Sequence, residues 1–375
     1  MKEKISLKDI LFNELKVRTI ALEIKLVYSE FEDELFVKDV LEMFPKLELK
    51  ARMYHIRDMF TKYLPQEYLK AMQILLTSLP PELDHTKTDN DFGEFIYASY
   101  AEFVVFHGCK REYLLFSLDA LRQLTKRFSV EFAIRAFINM FPKETLEMLY
   151  ECSLSENYHE RRLASEGLRP NLPWAKKITI AYTKPLQHLD TLFYDNTRYV
   201  TRSVANHLND IAKKDAPLVL ETLKKWRATK KQTPKEMEYI INHALRTLVK
   251  RGESSALDFL GFSQNPALKI DAFKLHYNEV KIGDALLFEC VLYAKEDVKL
   301  IIDYLIYFRT KTGTLNPKVH KLKKLVLKKG ESFTLQKKHL FKAHMTTRTL
   351  YEGEHKIALQ INGNIVQSQL FILKR

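Results

Sequence analysis

The sequence predicts a mainly α-helical protein that ends in a small all-β domain. From Leu7 to about Gly261, apolar residues recur at helical spacing between short breaks, and weakly similar helical segments follow one another in the second half of this region. After Gly261 the pattern changes to short runs rich in β-branched and aromatic residues. A chain of 375 residues is long enough for two domains. We therefore predict a helical domain over residues 1–264 and a β domain over residues 265–375.

Apolar stripes mark the helices of the first region. Phe36, Val40 and Phe44 follow one another at intervals of four and predict one buried helix face, which Pro45 ends. Proline ends a helix because it has no backbone N–H and its ring clashes with the preceding turn.

A second helix is predicted from Glu156 to Leu168, since the residue before Pro170 is disfavoured in helical geometry. Arg162 and Glu166 lie four residues apart and would share one face of it. The turn that follows would bring Trp174 close to the same end. The alternative is an ordinary surface ion pair and a core tryptophan.

The helical segments repeat. The segment YHERRLASEGL (158–168) aligns with YVTRSVANHLN (199–209) at an offset of 41 residues, and IAKKD (211–215) aligns with LVKRG (248–252) at an offset of 37. A helical period near 40 residues is typical of HEAT-type repeats, in which helix pairs stack into a solenoid. The first alignment matches Tyr158 with Tyr199, Arg161 with Arg202 and Ala164 with Ala205.

The middle copy predicts what one of these helices does. An apolar stripe is formed by Val200, Val204, Leu208 and Ile211. The opposite side of the helix carries a row of hydrogen-bond donors and no matching row of acidic residues. The donors are Arg202, Asn206, Asn209 and Lys213. A concave surface with such donors can follow a phosphate backbone. The alternative is a solvated outer face.

The last region predicts a β-sandwich. KIALQI (356–361) alternates apolar and polar residues, Asn362-Gly363 follows, and NIVQSQLFIL (364–373) resumes the pattern. Asn-Gly between two such runs is a strong hairpin signal, because both turn residues need positive φ. About seven short strands without a helical pattern indicate an immunoglobulin-like sandwich. It would lack a disulfide, since Cys290 has no partner there.

Charge is distributed unevenly. The net charge is +13, and residues 266–375 carry 20 Lys and Arg against 10 Asp and Glu. A basic module of this kind suggests a polyanionic partner, with nucleic acid as the first candidate. Simple solubility is the alternative, and the lysines of KVHKLKKLVLKKG (318–330) also suit an edge strand that avoids aggregation.

The remaining composition narrows the class of protein. Three widely spaced cysteines exclude a disulfide framework, a CxxC zinc site and a four-cysteine iron–sulfur cluster. No run of 18 apolar residues is present, and the charged N-terminal segment does not resemble a signal peptide. We therefore expect a reducing, cytoplasmic location and no membrane contact.

Four segments resemble the AlkC-type alkylpurine DNA glycosylases, which are built from HEAT-like repeats and remove N-alkylated bases from DNA. The resemblance covers most of residues 90–262, and some members of that family carry a C-terminal immunoglobulin-like domain, as residues 265–375 suggest here. The chain departs from the family pattern at Ala136, where proline is expected, and at Asn171, where a basic residue is expected. The segments are SVEFAIRAFI (129–138), RRLASEGLRPNLPWA (161–175), RYVTRSVANHLNDIAK (198–213) and NHALRTLVKRG (242–252).

The resemblance implies a function. The fold would be a right-handed α-solenoid followed by the sandwich. The reaction would be hydrolysis of the N-glycosidic bond of cationic bases of the 3-methyladenine type in double-stranded DNA. It would proceed without deep base flipping. A bacterial cytoplasmic or nucleoid monomer without cofactor or metal would carry it out. The alternative is a non-catalytic HEAT-repeat protein that binds structured or branched DNA.

The resemblance also implies residue roles. Glu166 would activate water and stabilise the sugar cation, Glu131 would form a second acidic wall, and Trp174 would pack on the deoxyribose. The alternatives are a helix-dipole contact for Glu131, an ion pair with Arg162 for Glu166, a core position for Trp174 and helix C-capping for Arg169. The DNA-binding residues would be Arg161, Arg162, Arg169, Arg202, Asn206 and Arg246.

Overall fold

A computed structural model of the chain describes residues 6–84, 86, 92–343, 345 and 348–375. A helical region is followed by a β-rich region. The helices are α1 (Leu7–Leu11), α2 (Glu14–Val27), α3 (Asp33–Met43), α4 (Leu49–Tyr63), α5 (Tyr68–Thr77), α6 (Ala98–Gly108), α7 (Leu114–Thr125), α8 (Ile134–Met140), α9 (Pro142–Ser153), α10 (Tyr158–Glu166), α11 (Leu186–Leu192), α12 (Arg198–Ala212), α13 (Ala216–Thr229), α14 (Pro234–Ala244), α15 (Arg246–Arg251) and α16 (Ser254–Phe259). None of these helices has the length and apolarity that a bilayer crossing requires.

Contacts divide the chain into two compact units. The first contains the described residues up to Ile211 together with Thr222–Ala244, and the second contains Ala212–Glu221 and Leu245–Arg375. In the first unit, the predicted stripe of Phe36, Val40 and Phe44 is buried, as expected.

Helix α12 is buried on more sides than its sequence suggests. The predicted stripe of Val200, Val204, Leu208 and Ile211 is confirmed as core. The prediction that Asn209 belongs to a polar outer row is wrong, because Asn209 is buried together with Asp210. Neighbouring helices cover several faces of α12, so a polar residue opposite the apolar stripe is not necessarily solvated.

The second unit contains two β-sheets. The strands are β1 (Leu268–Leu275), β2 (Glu279–Lys281), β3 (Ala285–Ala294), β4 (Val298–Arg309), β5 (Leu315–Leu327), β6 (Ser332–Leu340), β7 (Gly353–Ile361) and β8 (Asn364–Lys374). One sheet has the order β1-β3-β6 and the other β2-β8-β7-β4-β5. Neighbouring strands are antiparallel except for the β2–β8 pair. Alternate residues of both sheets form one apolar core.

The hairpin of β7 and β8 turns at Asn362-Gly363, as the sequence predicts. Both residues have positive φ, 46° and 84°. The Asn362 side chain accepts a hydrogen bond from the Ile301 amide at 2.7 Å and donates to the carbonyl of Ser263 at 2.7 Å. This asparagine therefore ties the turn to strand β4 and to the segment that precedes the sandwich.

Residues 245–264 pack onto the same turn. Gly252, which ends α15 with a positive φ of 73°, lies against Gly363, and a Cβ atom added to Gly363 would be 2.4 Å from the Gly252 Cα. Real Cβ atoms do not approach backbone so closely. Two glycines are therefore needed where α15 meets the hairpin.

We predict that Gly363→Ala destabilises the protein more than Gly330→Ala. Both glycines have nearly the same positive φ, 84° and 85°, so both substitutions carry the same backbone strain. Gly330 has open space around its Cβ position, whereas Gly363 does not. The overlap should add about 1–3 kcal/mol to the loss of unfolding free energy, measured by urea denaturation. Equal losses in the two variants would contradict the close packing.

Candidate active site

Helix α10 carries three of the predicted site residues, Arg161, Arg162 and Glu166. Asn157 caps its first turn by accepting a hydrogen bond from the His159 amide at 2.9 Å. The helix ends at Glu166, two residues earlier than predicted. Gly167 follows where α8 approaches closely, since a Cβ atom there would lie 2.8 Å from Ile134 Cγ2. A larger residue at position 167 would therefore crowd the Ile134 side chain.

Acidic and basic side chains alternate around Glu166. Arg162 Nη1 lies 2.7 Å from Glu131 Oε2, Arg169 Nη1 lies 2.5 Å from Glu166 Oε1, and Arg169 Nε lies 3.0 Å from Asp210 Oδ2. The predicted Arg162–Glu166 pair is longer, at 3.9 Å. We call these five residues (Glu131, Arg162, Glu166, Arg169 and Asp210) the carboxylate cluster. The structure thus brings together four of the predicted site residues.

Hydroxyl groups complete the cluster. Ser203 of α12 donates to Glu166 Oε2 at 2.6 Å, while its oxygen lies 2.9 Å from the Ser165 hydroxyl. Ser129 donates to Glu131 Oε2 at 2.8 Å and accepts from Arg162. Both oxygens of Glu166 therefore have a hydrogen-bond donor, which fixes the plane of the carboxylate.

The cluster keeps Glu166 ionised. Burial opposes its charge, but Arg162 and Arg169 overcome that effect and hold the pKa of Glu166 below its ordinary value. Burial by itself would lower the pKa of Arg162. The Glu131 carboxylate outweighs this effect, so the pKa of Arg162 is raised. At neutral pH Glu166 is a carboxylate, which can stabilise a cation but has no proton to give.

Trp174 lies at the surface. Its side chain is 64% exposed, so the alternative of a core tryptophan is wrong. Its φ of 64° is left-handed, which costs free energy for a non-glycine residue and is frequent at functional sites. Lys50 of α4 donates a hydrogen bond to the Trp174 carbonyl. The conformation that exposes the indole is therefore held by a contact from another helix.

Two further predicted DNA-binding residues, Arg161 and Asn206, contact other side chains. Arg161 Nε is 2.5 Å from Asp195 Oδ2, and Arg161 also donates to the carbonyls of Ser155 and Glu156. Asn206 is half-buried on α12, and its Oδ1 lies 2.8 Å from His243 Nε2.

Arg202 and Arg246 are both half-buried. Arg202 lies on α12 in the first unit, and Arg246 opens α15 in the second unit.

Arginine–carboxylate contacts recur along the helical unit. Arg122 bonds Glu160 at 2.9 Å, and Arg198 bonds Glu236 at 2.5 Å, both over a separation of 38 residues. This spacing agrees with the repeat of about 40 residues that the sequence predicts.

The sequence reasoning missed Arg135, Ser129, Ser203 and Asp210. Arg135 is almost completely buried, and its Nη1 donates to the carbonyls of Gly167 and Arg169, each at 2.9 Å. Its Nε donates to the Lys176 carbonyl. Burial and the nearby Arg169 lower the pKa of Arg135 to about 10. An arginine inside the otherwise apolar FAIRAFI segment was the available signal.

We predict that Arg135→Met unfolds or loosens the turn from Gly167 to Lys176. The carbonyls of Gly167, Arg169 and Lys176 would lose their donor, at a cost of about 1–3 kcal/mol for each of the two in buried hydrogen bonds. The loss of unfolding free energy should greatly exceed that of Arg18→Met. Arg18 is half-exposed and pairs with Glu14 and Glu34, and such a surface pair contributes at most about 1 kcal/mol. Similar losses in thermal denaturation of the two variants would show that Arg135 does not hold the turn.

His207 predicts a pH dependence of stability. Burial lowers its pKa to about 4, and its Nδ1 donates to the Ser165 carbonyl at 3.0 Å. The unfolded chain protonates the ring below about pH 6.5 while the folded protein does not, so unfolding free energy falls as the pH drops from about 6.5 towards 4. His207→Asn keeps a donor without titrating. It should lose less stability than the native protein between about pH 7.5 and pH 5.5, and equal losses would rule out this contribution.

Among the described residues, no three His, Cys, Asp or Glu side chains are grouped as a metal site requires. The carboxylate cluster can instead place fixed negative charge next to a developing cation.

Three comparisons with known proteins agree with one another. Residues 269–375 match the family model described as "Uncharacterised protein YhaZ, C-terminal Ig-like domain". The chain is 31% identical over 367 residues to YhaZ of Bacillus subtilis (strain 168), covering 96% of this chain and 98% of YhaZ. A solved structure of Pseudomonas fluorescens alkylpurine DNA glycosylase AlkC, bound to DNA containing an abasic site analog, is similar with a TM-score of 0.88 and 29% identity. That similarity covers 99% of this chain and 100% of the AlkC chain.

Proposed function

Because this chain belongs to the AlkC family of alkylpurine DNA glycosylases, which includes YhaZ, we propose that it releases cationic N-alkylated bases, of the 3-methyladenine type, from double-stranded DNA. The observation that carries the proposal is the ionised, doubly hydrogen-bonded Glu166 within the carboxylate cluster. A cationic base leaves without a general acid, so the protein must chiefly stabilise the sugar cation and supply water.

The reaction breaks one bond and forms one. The C1′–N bond breaks with its electron pair going to the base, which neutralises the positive charge of the base. Water adds to C1′ of the oxocarbenium-like sugar and gives up a proton. A preorganised carboxylate stabilises that cation electrostatically, because its charge and orientation are already fixed before the reaction. The products are a free base and an abasic site, without strand cleavage.

Glu131 and Glu166 have different roles in this proposal. The family resemblance implies that Glu166 activates water, but both oxygens of Glu166 already accept hydrogen bonds. Glu131 is more exposed, and both of its side-chain hydrogen bonds reach the same oxygen, Oε2. In this proposal Glu131 Oε1 orients the water and takes its proton, while Glu166 supplies the fixed negative charge.

Trp174 and the basic side chains would hold the DNA. The exposed indole is proposed to pack on the deoxyribose, an interaction of about 0.5–2 kcal/mol with a cation. Arg202, Asn206 and Arg246 are proposed to contact phosphates. Arg161, Arg162 and Arg169 now bond carboxylates, so a phosphate contact from them would require sharing or exchange of these partners.

The finer features remain part of this proposal. The helical unit would be a right-handed solenoid whose open side grips the backbone, without drawing the base into a deep pocket before cleavage. The basic sandwich would add to DNA binding through its lysines. The active form would be a cytoplasmic monomer.

The decisive experiment measures free base released from methylated duplex DNA by the native protein and two variants. Glu166→Gln should reduce the rate by about 100-fold or more while DNA binding is retained, since it removes the fixed charge. Glu160→Gln is the matched control. It lies on the same helix, is equally buried and is paired with Arg122, but it lies outside the carboxylate cluster.

Each outcome decides between functions. No release by the native protein, with tight DNA binding, would identify a non-catalytic DNA-binding protein. Equal loss in Glu160→Gln and Glu166→Gln would mean that the effect is structural. Release unaffected by Glu166→Gln would move the catalytic role to another residue, with Glu131 the first to test.

A further inference from the structure

Beside Trp174, the first unit contains a pocket with aromatic walls. Its lining includes the side chains of Tyr54, Phe95, Phe132, Trp174 and Glu102. Tyr54 lies on α4 and Glu102 on α6, while Phe95, Phe132 and Trp174 come from the turns before α6, before α8 and after α10. The pocket therefore begins at the residue proposed to contact the sugar and extends between apolar side chains.

Glu102 is the unusual member of this lining. It lies on α6, whose residues are otherwise mainly apolar. In the described part of the chain its carboxyl group forms no hydrogen bond and no ion pair within 4.0 Å. Burial raises its pKa, although Arg57, Lys176 and Lys50 oppose the effect from a distance. Glu102 is half-buried and its carboxyl group has no hydrogen-bond partner among the described residues, so a ligand that supplies a hydrogen-bond donor can bind it.

The two lysines of the lining do not neutralise Glu102 by direct contact. Lys50 donates to the Trp174 carbonyl and lies 5.3 Å from the centre of the Phe132 ring. Lys176 is exposed to solvent, which screens its charge. The Glu102 carboxyl group is therefore an acceptor of the lining that a ligand can use.

The size of the pocket limits the ligand. It offers about 60 Å³ in which the centre of a water molecule can lie. At roughly 10–15 Å³ for each water centre, this is room for about four to six waters, which together occupy roughly 120–180 Å³ of liquid. That volume suits one heterocyclic base and is too small for a nucleotide.

We propose that this pocket receives the alkylated purine base after the glycosidic bond has broken. The aromatic side chains would contact the two faces of the ring, and Glu102 would bind its amino edge. A carboxyl group and an aminopurine edge form two hydrogen bonds: the amino group donates to one carboxyl oxygen, and one proton lies between the other oxygen and a ring nitrogen, whichever of them holds it. This inference rests on the proposed glycosylase function, because that reaction supplies the free base.

The proposed role accounts for the position of the pocket beside Trp174. A base that leaves C1′ while the sugar stays against the indole must depart past that side chain. Binding it in the pocket would keep it away from C1′ and so oppose the reverse reaction. This role follows cleavage and therefore requires no extrahelical base before it.

Binding of free 3-methyladenine to the full-length protein tests the inference. The chain has two tryptophans, and Trp226 is 1% exposed, so a quench of fluorescence on titration reports Trp174. Saturable quenching is expected for the native protein and equally for Glu166→Gln, since that variant affects the reaction only. Glu102→Leu should weaken binding about tenfold or more, and Glu102→Gln, which also offers an acceptor and a donor, should bind more tightly than Glu102→Leu.

Controls separate this inference from the proposed function. Unsubstituted purine lacks the amino group and should bind more weakly than 3-methyladenine, while Trp174→Phe should abolish the quench. No saturable binding by the native protein, or equal affinity in Glu102→Leu, would overturn the inference even if bases are released from DNA. Base binding without base release would show that the pocket binds a base, but it would overturn the glycosylase proposal and with it the role after cleavage.

Discussion

The buried alternation of carboxylates and guanidiniums around Glu166 is the constraint on which the helical unit depends. Burying an ionised carboxylate costs several kcal/mol unless charges and hydrogen bonds compensate it. Here Arg169 and Ser203 each bond one oxygen of Glu166, and Arg162 links it to Glu131. Such a cluster contributes little net stability compared with an apolar core. Its chemical value is that a negative charge stands fixed in position before any substrate arrives.

The packing of several helices maintains this arrangement. Glu166 ends α10, its hydroxyl donor comes from α12, and Arg135 of α8 bonds the carbonyls of the turn that leads to Trp174. Each contact joins residues more than 30 positions apart, so the cluster exists only when the helices are stacked. Arg122–Glu160 and Arg198–Glu236 show a similar spacing outside the cluster, which agrees with the repeat of about 40 residues that the sequence predicts.

The second unit follows a different physical rule. Its core is made by alternate residues of two sheets. The Asn362-Gly363 turn sets how strand β7 pairs with strand β8. That turn also receives α15 through the contact between Gly252 and Gly363. Residues 245–264 therefore belong to the same compact unit as the sandwich, and strand β1 begins at Leu268. The domain boundary at residues 264 and 265 stays a prediction.

Local sequence determined the features that depend on neighbouring residues. The stripe of α12 and the Asn-Gly hairpin follow from periodicity and turn chemistry, and the family resemblance identified the segment from Arg161 to Ala175. Only the tertiary structure decided which charges meet. Spacing pointed to a pair of Arg162 with Glu166, whereas the closer partners are Glu131 for Arg162 and Arg169 for Glu166. It also decided that Asn209 is buried and Trp174 exposed. Periodicity describes the face of one helix, but burial and ion pairing depend on every element packed around it.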